Sequence, residues 1–174
     1  MSMDKIDFSK LSLRDALDLA VLIEEEAEER YEELAAQMEV HHTPEAASFF
    51  RVMVGNEAKH GEQLAARRAT LFGDTPRAVT RAMLWDVEAP EYDEVRASMT
   101  RRQALAVALR GEQKAHAYFV AALPHVRDAS VKSLFEELRD EEVEHQRMLA
   151  SELAQLPPDP PVDPSDFEDE PVAQ

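Results

Sequence analysis

Cysteine is absent from the 174-residue sequence, glycine occurs only four times, and no apolar run is long enough to span a membrane. The absence of cysteine excludes disulfides, thiolate zinc sites and thiol catalysis, and it is typical of cytoplasmic proteins. A membrane-spanning helix needs roughly 20 mainly apolar residues, and the N-terminal residues lack the apolar segment of a secretory signal. We therefore expect a cytoplasmic protein that does not insert into a membrane.

Basic residues are also scarce, and the formal net charge of the chain is −17. Nothing in the sequence resembles the basic surface that neutralises nucleic-acid phosphates, so we expect no nucleic-acid partner. Cations are the more natural partners of such a chain. An acidic surface also serves to keep a protein soluble, and the net charge alone does not separate these two explanations.

Residues that break helices are few, and they divide the sequence into four long segments. Capping residues at the starts and Gly or Pro at the ends delimit these segments. The predicted helices cover residues 12–41, 44–72, 99–123 and 129–156. Two short connections and one long connection, residues 74–98, predict an all-α four-helix bundle with one long crossover between the second and third helices.

The C-terminal segment 157–174 differs from the rest of the chain in composition. It contains six prolines and six acidic residues and no Lys or Arg. Such a segment cannot bury enough apolar surface to order itself. We therefore expect a bundle over residues 1–156, followed by a flexible acidic, proline-rich tail over residues 157–174.

Each predicted helix carries one apolar stripe, which is found by stepping alternately four and three residues along it. Each stripe is interrupted near its middle by ionisable residues. The first and third helices have a single in-phase glutamate there, and the second and fourth have Glu-x-x-His. These residues are Glu24, Glu57, His60, Glu112, Glu142 and His145.

Four carboxylates in one core are costly unless cations neutralise them. Two divalent metal ions would balance the four negative charges, and Glu and His three residues apart on a helix can reach the same ion. Mixed carboxylate and imidazole ligands suit Fe or Mn. Helical phase favours Glu24 over Glu25 and Glu28. It also favours Glu142 over Glu141, which has no histidine three residues later. A metal-free structural bundle is the alternative.

The motifs around these residues resemble the rubrerythrin branch of the ferritin-like superfamily. They are EEEAEERY from Glu24, EAKH from Glu57, GEQKAHAYF from Gly111 and EEVEH from Glu141. The resemblance covers about residues 12–156 and implies a ferritin-like bundle holding two iron ions that react with O2 or peroxide. It implies the six residues named above as ligands, with Glu57 and Glu142 bridging the ions.

The sequence departs from typical rubrerythrins at two points. It has no cysteine for the rubredoxin iron site, so electrons for repeated peroxide reduction would come from another protein. The extra glutamate one turn after the third-helix ligand is replaced by Ala115. Both departures favour ferroxidase chemistry over peroxidase chemistry. Tyr31 is a candidate neighbour of the ligands or an electron relay, and packing in the core is the plainer role for it.

The sequence thus predicts a non-haem di-iron oxidoreductase that oxidises Fe(II) with O2 or H2O2, as a ferroxidase or a rubrerythrin-like peroxidase. A non-catalytic iron-binding or carrier protein is one alternative, and a di-manganese, catalase-like enzyme is another. We expect a homodimer or a larger homo-oligomer, and an external electron donor protein if the chain is a peroxidase.

Overall fold

Four long helices form the protein, as the sequence predicts. The computed structural model describes residues 6–84, 87, 89–90 and 99–159, and this part of the chain contains no strand. The helices are α1 (Leu13–Val40), α2 (Pro44–Phe72), α3 (Arg101–Ala122) and α4 (Ala129–Gln155). Short 3-10 helices cover Phe8–Lys10, Arg81–Met83 and Leu123–His125. The prediction of an all-α bundle is confirmed.

The helix ends follow local capping chemistry. The side chains of Ser12, Thr100 and Asp128 accept backbone N–H groups at the starts of α1, α3 and α4, which satisfies donors that have no partner within the helix. Pro44 occupies the first turn of α2, where no backbone N–H is needed. Gly73 ends α2 with a φ of 57°, in the left-handed region that favours glycine. These signals explain why the predicted bounds lie within two residues of the observed ones.

The helices pair as two hairpins, α1 with α2 and α3 with α4, and residues 73–100 connect them. Arginines at the start of this crossover bind glutamates of α1: Arg77 lies 3.2 Å from Glu25, and Arg81 lies 2.5 Å from Glu29. Further along, the carbonyls of Ala89 and Pro90 accept hydrogen bonds from α3 and α1. The crossover therefore wraps over α1 and reaches α3, which holds the two hairpins together.

A buried ion pair joins α1 to the end of α2. Arg68 Nε donates to Asp18 Oδ1 at 2.8 Å, and the Asp18 side chain is fully buried. The same guanidinium donates to the carbonyls of Gly73 and Thr75. A buried arginine needs such partners, because an unpaired charge in the core costs several kcal/mol. The pair fixes the point where the chain leaves α2 for the crossover.

Two apolar clusters fill the bundle, one on each side of a polar layer. One cluster contains Leu17, Phe119 and Phe135, and the other contains Tyr31, Phe50 and Leu105. On α1 the polar layer falls at Glu24, between Ile23 of the first cluster and Ala27 of the second. The fold thus places the mid-helix glutamates within one layer of the core.

The start of the C-terminal segment lies against the bundle. Asp159 Oδ1 accepts a hydrogen bond from Thr100 Oγ1 at 2.5 Å, and Arg102 donates to the carbonyls of Leu153 and Leu156 at 3.0 Å. Residues 160–174 fall outside the described residues, so the flexible tail stays a prediction. Within the described part of the chain, no helix has the length and apolar character needed to cross a membrane.

Candidate metal centre

The first cluster of candidate ligands joins α1 to α2. Glu24, Glu57 and His60 bring one ligand atom each to within 4.8 Å of one another. His60 Nδ1 lies 3.6 Å from Glu57 Oε2 and 3.9 Å from Glu24 Oε2. An ideal Cβ on Gly61 would lie 3.4 Å from the Cβ of Glu24. This is an ordinary van der Waals distance, so α1 and α2 are closely packed beside the cluster.

The second cluster joins α3 to α4 in the same way. Glu112, Glu142 and His145 also present ligand atoms within 4.8 Å of one another. His145 Nδ1 lies 3.1 Å from Glu112 Oε2 and 3.7 Å from Glu142 Oε2. Gln146 Nε2 donates to the backbone carbonyl of Glu112 at 3.1 Å, which ties α4 to α3 beside the cluster.

The two clusters lie next to each other across the bundle. The imidazole rings of His60 and His145 stack with centroids 4.7 Å apart and planes inclined by 2°. Burial raises the pKa of Glu24 well above its ordinary value, and the charges of Glu57, Glu142 and Glu112 raise it further. Because glutamates of both hairpins act on Glu24, the four carboxylates form one electrostatic unit.

The second cluster shows the same crowding of negative charge. Burial and the neighbouring Glu112 raise the pKa of Glu142 to about 8, although His145 opposes the shift. Burial lowers the pKa of His145, but its contacts with Glu112 and Glu142 outweigh burial and raise that pKa to about 11. The protein without metal thus holds protons where a bound cation would supply positive charge.

The residues present fit a pair of metal ions. Among the four glutamates of the clusters, five buried carboxylate oxygens have no hydrogen-bond partner in the described part of the chain, although buried polar atoms are nearly always partnered. They are Glu24 Oε2, both oxygens of Glu57, Glu112 Oε1 and Glu142 Oε2. Four carboxylates and two imidazoles form a donor set suited to iron or manganese, and two divalent ions would balance the charge of the carboxylates.

The structure separates the predicted ligands from their competitors. Glu25 pairs with Arg77, Glu28 is only partly buried, and Glu141 is exposed. None of the three belongs to either ligand cluster. His116, the remaining histidine near the layer, lies outside both clusters as well. The six residues chosen by helical phase are therefore the six that the fold brings together, and their role as ligands stays a prediction.

The remaining candidates lie in the adjacent core. Tyr31 is fully buried, and its ring packs on Phe50 with centroids 6.0 Å apart, so its place in the apolar cluster is clear and a relay role stays a prediction. Ala115 is fully buried on α3, one turn after Glu112. Gln146 was not foreseen, because it does not lie on the apolar stripe and belongs to no motif.

Comparison with known proteins agrees with this arrangement. The family model described as rubrerythrin matches residues 15–153. The chain belongs to the rubrerythrin family. A crystal structure of an uncharacterized conserved protein from Magnetospirillum magnetotacticum MS-1 is similar, with 29% identity and a TM-score of 0.65, over 86% of this chain and 99% of that one. A comparison with curated proteins finds no match.

Membership of the rubrerythrin family confirms the resemblance read from the sequence motifs and the ferritin-like fold. The family match and the two clusters together support a site for two metal ions. Unlike typical rubrerythrins, this member has no cysteine, so a four-cysteine iron site cannot form within the chain.

Proposed function

We propose that this rubrerythrin-family protein is a non-haem di-iron oxidoreductase that oxidises Fe(II) with O2 or H2O2. The observation that carries the proposal is the pair of Glu/Glu/His clusters whose five buried carboxylate oxygens have no hydrogen-bond partner in the described residues. Such a layer lowers the stability of the metal-free fold. A function that uses bound cations explains why the layer is present.

Each group of side chains would have its own role in the site. Glu24, Glu57 and His60 would hold one ion, and Glu112, Glu142 and His145 would hold the other. Two iron ions bound there would supply one electron each to O2 or H2O2. Gln146 would help to keep α3 and α4 at the spacing that the ligands need. The apolar clusters on both sides would exclude bulk water from the site.

Two other functions remain to be distinguished from this one by experiment. A carrier would bind Fe(II) at the same residues without a rapid reaction with oxidant. A di-manganese, catalase-like enzyme would use the same ligand types. A cytoplasmic location, a homo-oligomer and an external electron donor for repeated turnover stay predictions from the sequence.

We expect the purified protein to bind about two Fe(II) ions per chain without oxygen, because each cluster supplies three ligands. Mixing with O2 or H2O2 should then give a rapid burst of Fe(III) absorbance, which stopped-flow spectroscopy measures. Glu142→Gln should lose most of the binding, and Glu141→Gln, at the exposed neighbouring position, should behave like the wild type. Stoichiometric binding without a burst would favour a carrier, and saturation below one ion would contradict the dinuclear site.

Ala115 provides a test of ferroxidase against peroxidase chemistry. Its methyl group is fully buried one turn after Glu112. Typical rubrerythrins carry a further glutamate at this position. A carboxylate there would stabilise a more positively charged site. We therefore expect the wild type to show one burst and then slow peroxide turnover. Ala115→Glu should turn over peroxide faster with the same donor protein.

Ala115→Gln is the matched control for this comparison, because it adds the same bulk without the charge. If both variants turn over peroxide equally fast, added size rather than charge explains the change. Rapid turnover by the wild type, unimproved by Ala115→Glu, would contradict the preference for ferroxidase chemistry.

A further inference from the structure

The six side chains of the metal centre differ sharply in their exposure to solvent. The four glutamate side chains are between 0% and 8% exposed, whereas those of His60 and His145 are 26% and 16% exposed. Solvent therefore reaches the site from the side of the histidines, which lie on α2 and α4. A hydrated cation approaching the site from that side would meet the stacked imidazole rings first.

On the opposite side of the site, the described crossover residues Ala89 and Pro90 bridge α1 and α3. Pro90 O accepts a hydrogen bond from Arg30 of α1 at 2.5 Å, and Ala89 O accepts one from Lys114 of α3 at 2.6 Å. Val87 and Ala89 are 2% and 0% exposed, so this part of the crossover is packed against the bundle. An ion entering from that side would have to displace packed backbone.

The two histidine helices run antiparallel, and their side chains meet at two places, which define a seam between α2 and α4. Arg67 of α2 lies 2.9 Å from Glu137 of α4, and His60 stacks on His145, so residue numbers fall on one helix as they rise on the other. Gln63 and Met148 each follow a histidine by three residues and are exposed. Helical side chains lean towards the N-terminal turn, so we expect each of the two to lean back towards the histidine of its own helix.

We propose that divalent cations enter and leave the metal centre through the seam between α2 and α4, past Met148 and Gln63 at its outer edge and the stacked imidazoles of His60 and His145 at its inner edge. This inference rests on the proposed function, because it assumes that the six residues bind metal. It assigns an access role to Met148, a side chain that is 59% exposed.

Cobalt(II) is a suitable probe, because its visible absorption reports binding without oxidation. We expect Met148→Trp to slow Co(II) association in stopped-flow mixing by roughly fivefold or more, since the indole must rotate away before an ion can pass. Equilibrium stoichiometry and the melting temperature should match the wild type. Val143→Trp is the matched control, because Val143 is 45% exposed on the same helix but lies on its opposite flank.

A second pair of variants tests the route through charge rather than bulk. Met148→Glu should speed Co(II) association and Met148→Lys should slow it, because local charge alters the concentration of cations at the seam. Both effects should shrink with added salt. The same substitutions at Val143 should have smaller effects.

The outcomes separate this inference from the proposed function. If the wild type binds no Co(II), the proposed metal centre itself is wrong. If the wild type and all variants bind two ions, and Met148 and Val143 substitutions change the rate equally or not at all, the metal centre stands and the route through the seam is overturned.

Discussion

Glu57→Leu is expected to abolish metal binding and, at the same time, to raise the melting temperature of the metal-free protein. The Glu57 side chain is 1% exposed, and neither carboxylate oxygen has a hydrogen-bond partner in the described part of the chain. Replacing buried ionic groups with well-packed apolar side chains of similar volume is neutral or stabilising by about 1–4 kcal/mol, and a gain of that size corresponds to roughly 2–16 °C for a chain of this length. Calorimetry of the metal-free proteins measures the change.

Glu62→Leu is the control for this substitution, because Glu62 is exposed on the same helix. It should leave metal binding unchanged and alter stability by roughly 0.5 kcal/mol or less. A lower melting temperature for metal-free Glu57→Leu would contradict the argument, since it would show that the carboxylate is stabilised in the absence of cations. A substitution that raises stability and abolishes metal binding would show that the polar layer serves function. In a purely structural layer, the same substitution would lower stability.

The six residues of the two clusters could be predicted from the sequence because a shared polar layer leaves a pattern along each helix. A polar residue in phase with an apolar stripe is visible without any knowledge of the fold, and Glu24 and Glu142 were separated from their acidic neighbours in this way. Stepping alternately four and three residues predicts core positions less accurately towards the end of a long helix. Steps of four and three residues average 3.5, whereas a helix has 3.6 residues per turn. At the end of α2 the stripe predicts Leu71 as a core residue, but Leu71 is 52% exposed and Phe72 packs against the core instead.

Contacts between segments distant in the sequence could not be predicted in the same way. Asp18 lies beside the apolar stripe of α1, where a solvent-exposed aspartate is the usual expectation. It is fully buried instead, 2.8 Å from Arg68 of α2 and 3.9 Å from Arg77 of the crossover. No sequence motif marks Gln146. Its role depends on the hydrogen bond that its side chain donates from α4 to the carbonyl of Glu112 on α3. Such partners follow from the packing of the helices rather than from any local pattern.

The second large effect concerns the dependence of stability on pH in the metal-free protein. An acid whose pKa is raised in the folded state holds a proton that the unfolded state has lost. The pKa of Glu142 is raised from 4.5 to about 8. Between these two pH values the folded state therefore binds a proton at Glu142 that the unfolded state does not. Glu24 shifts in the same direction. The stability that these protonated acids contribute is present at low pH and is lost as the pH rises through the window.

His145 also makes the folded state less stable as the pH rises, over a higher pH range than Glu142. Its pKa is raised from 6.5 to about 11, so the folded state retains a proton that the unfolded state loses above about pH 6.5. Its contribution to stability is complete below that value and is lost as the pH rises towards 11. The free energy of unfolding of the metal-free protein should therefore fall between pH 5 and pH 9, by an amount on the order of a few kcal/mol.

Denaturant unfolding of the metal-free protein across this pH range measures the effect, and Glu142→Leu provides the control because it removes one of the shifted groups. Its unfolding free energy should decline less steeply with pH than that of the wild type. Metal ions should reverse the trend, because they bind the deprotonated ligands and stabilise only the folded state. The gap between metal-bound and metal-free stability should therefore be wide at pH 8 and narrow towards pH 5. Parallel curves for the two forms would show that the carboxylates do not repel one another in the folded protein, and the dinuclear arrangement would then lose its energetic basis.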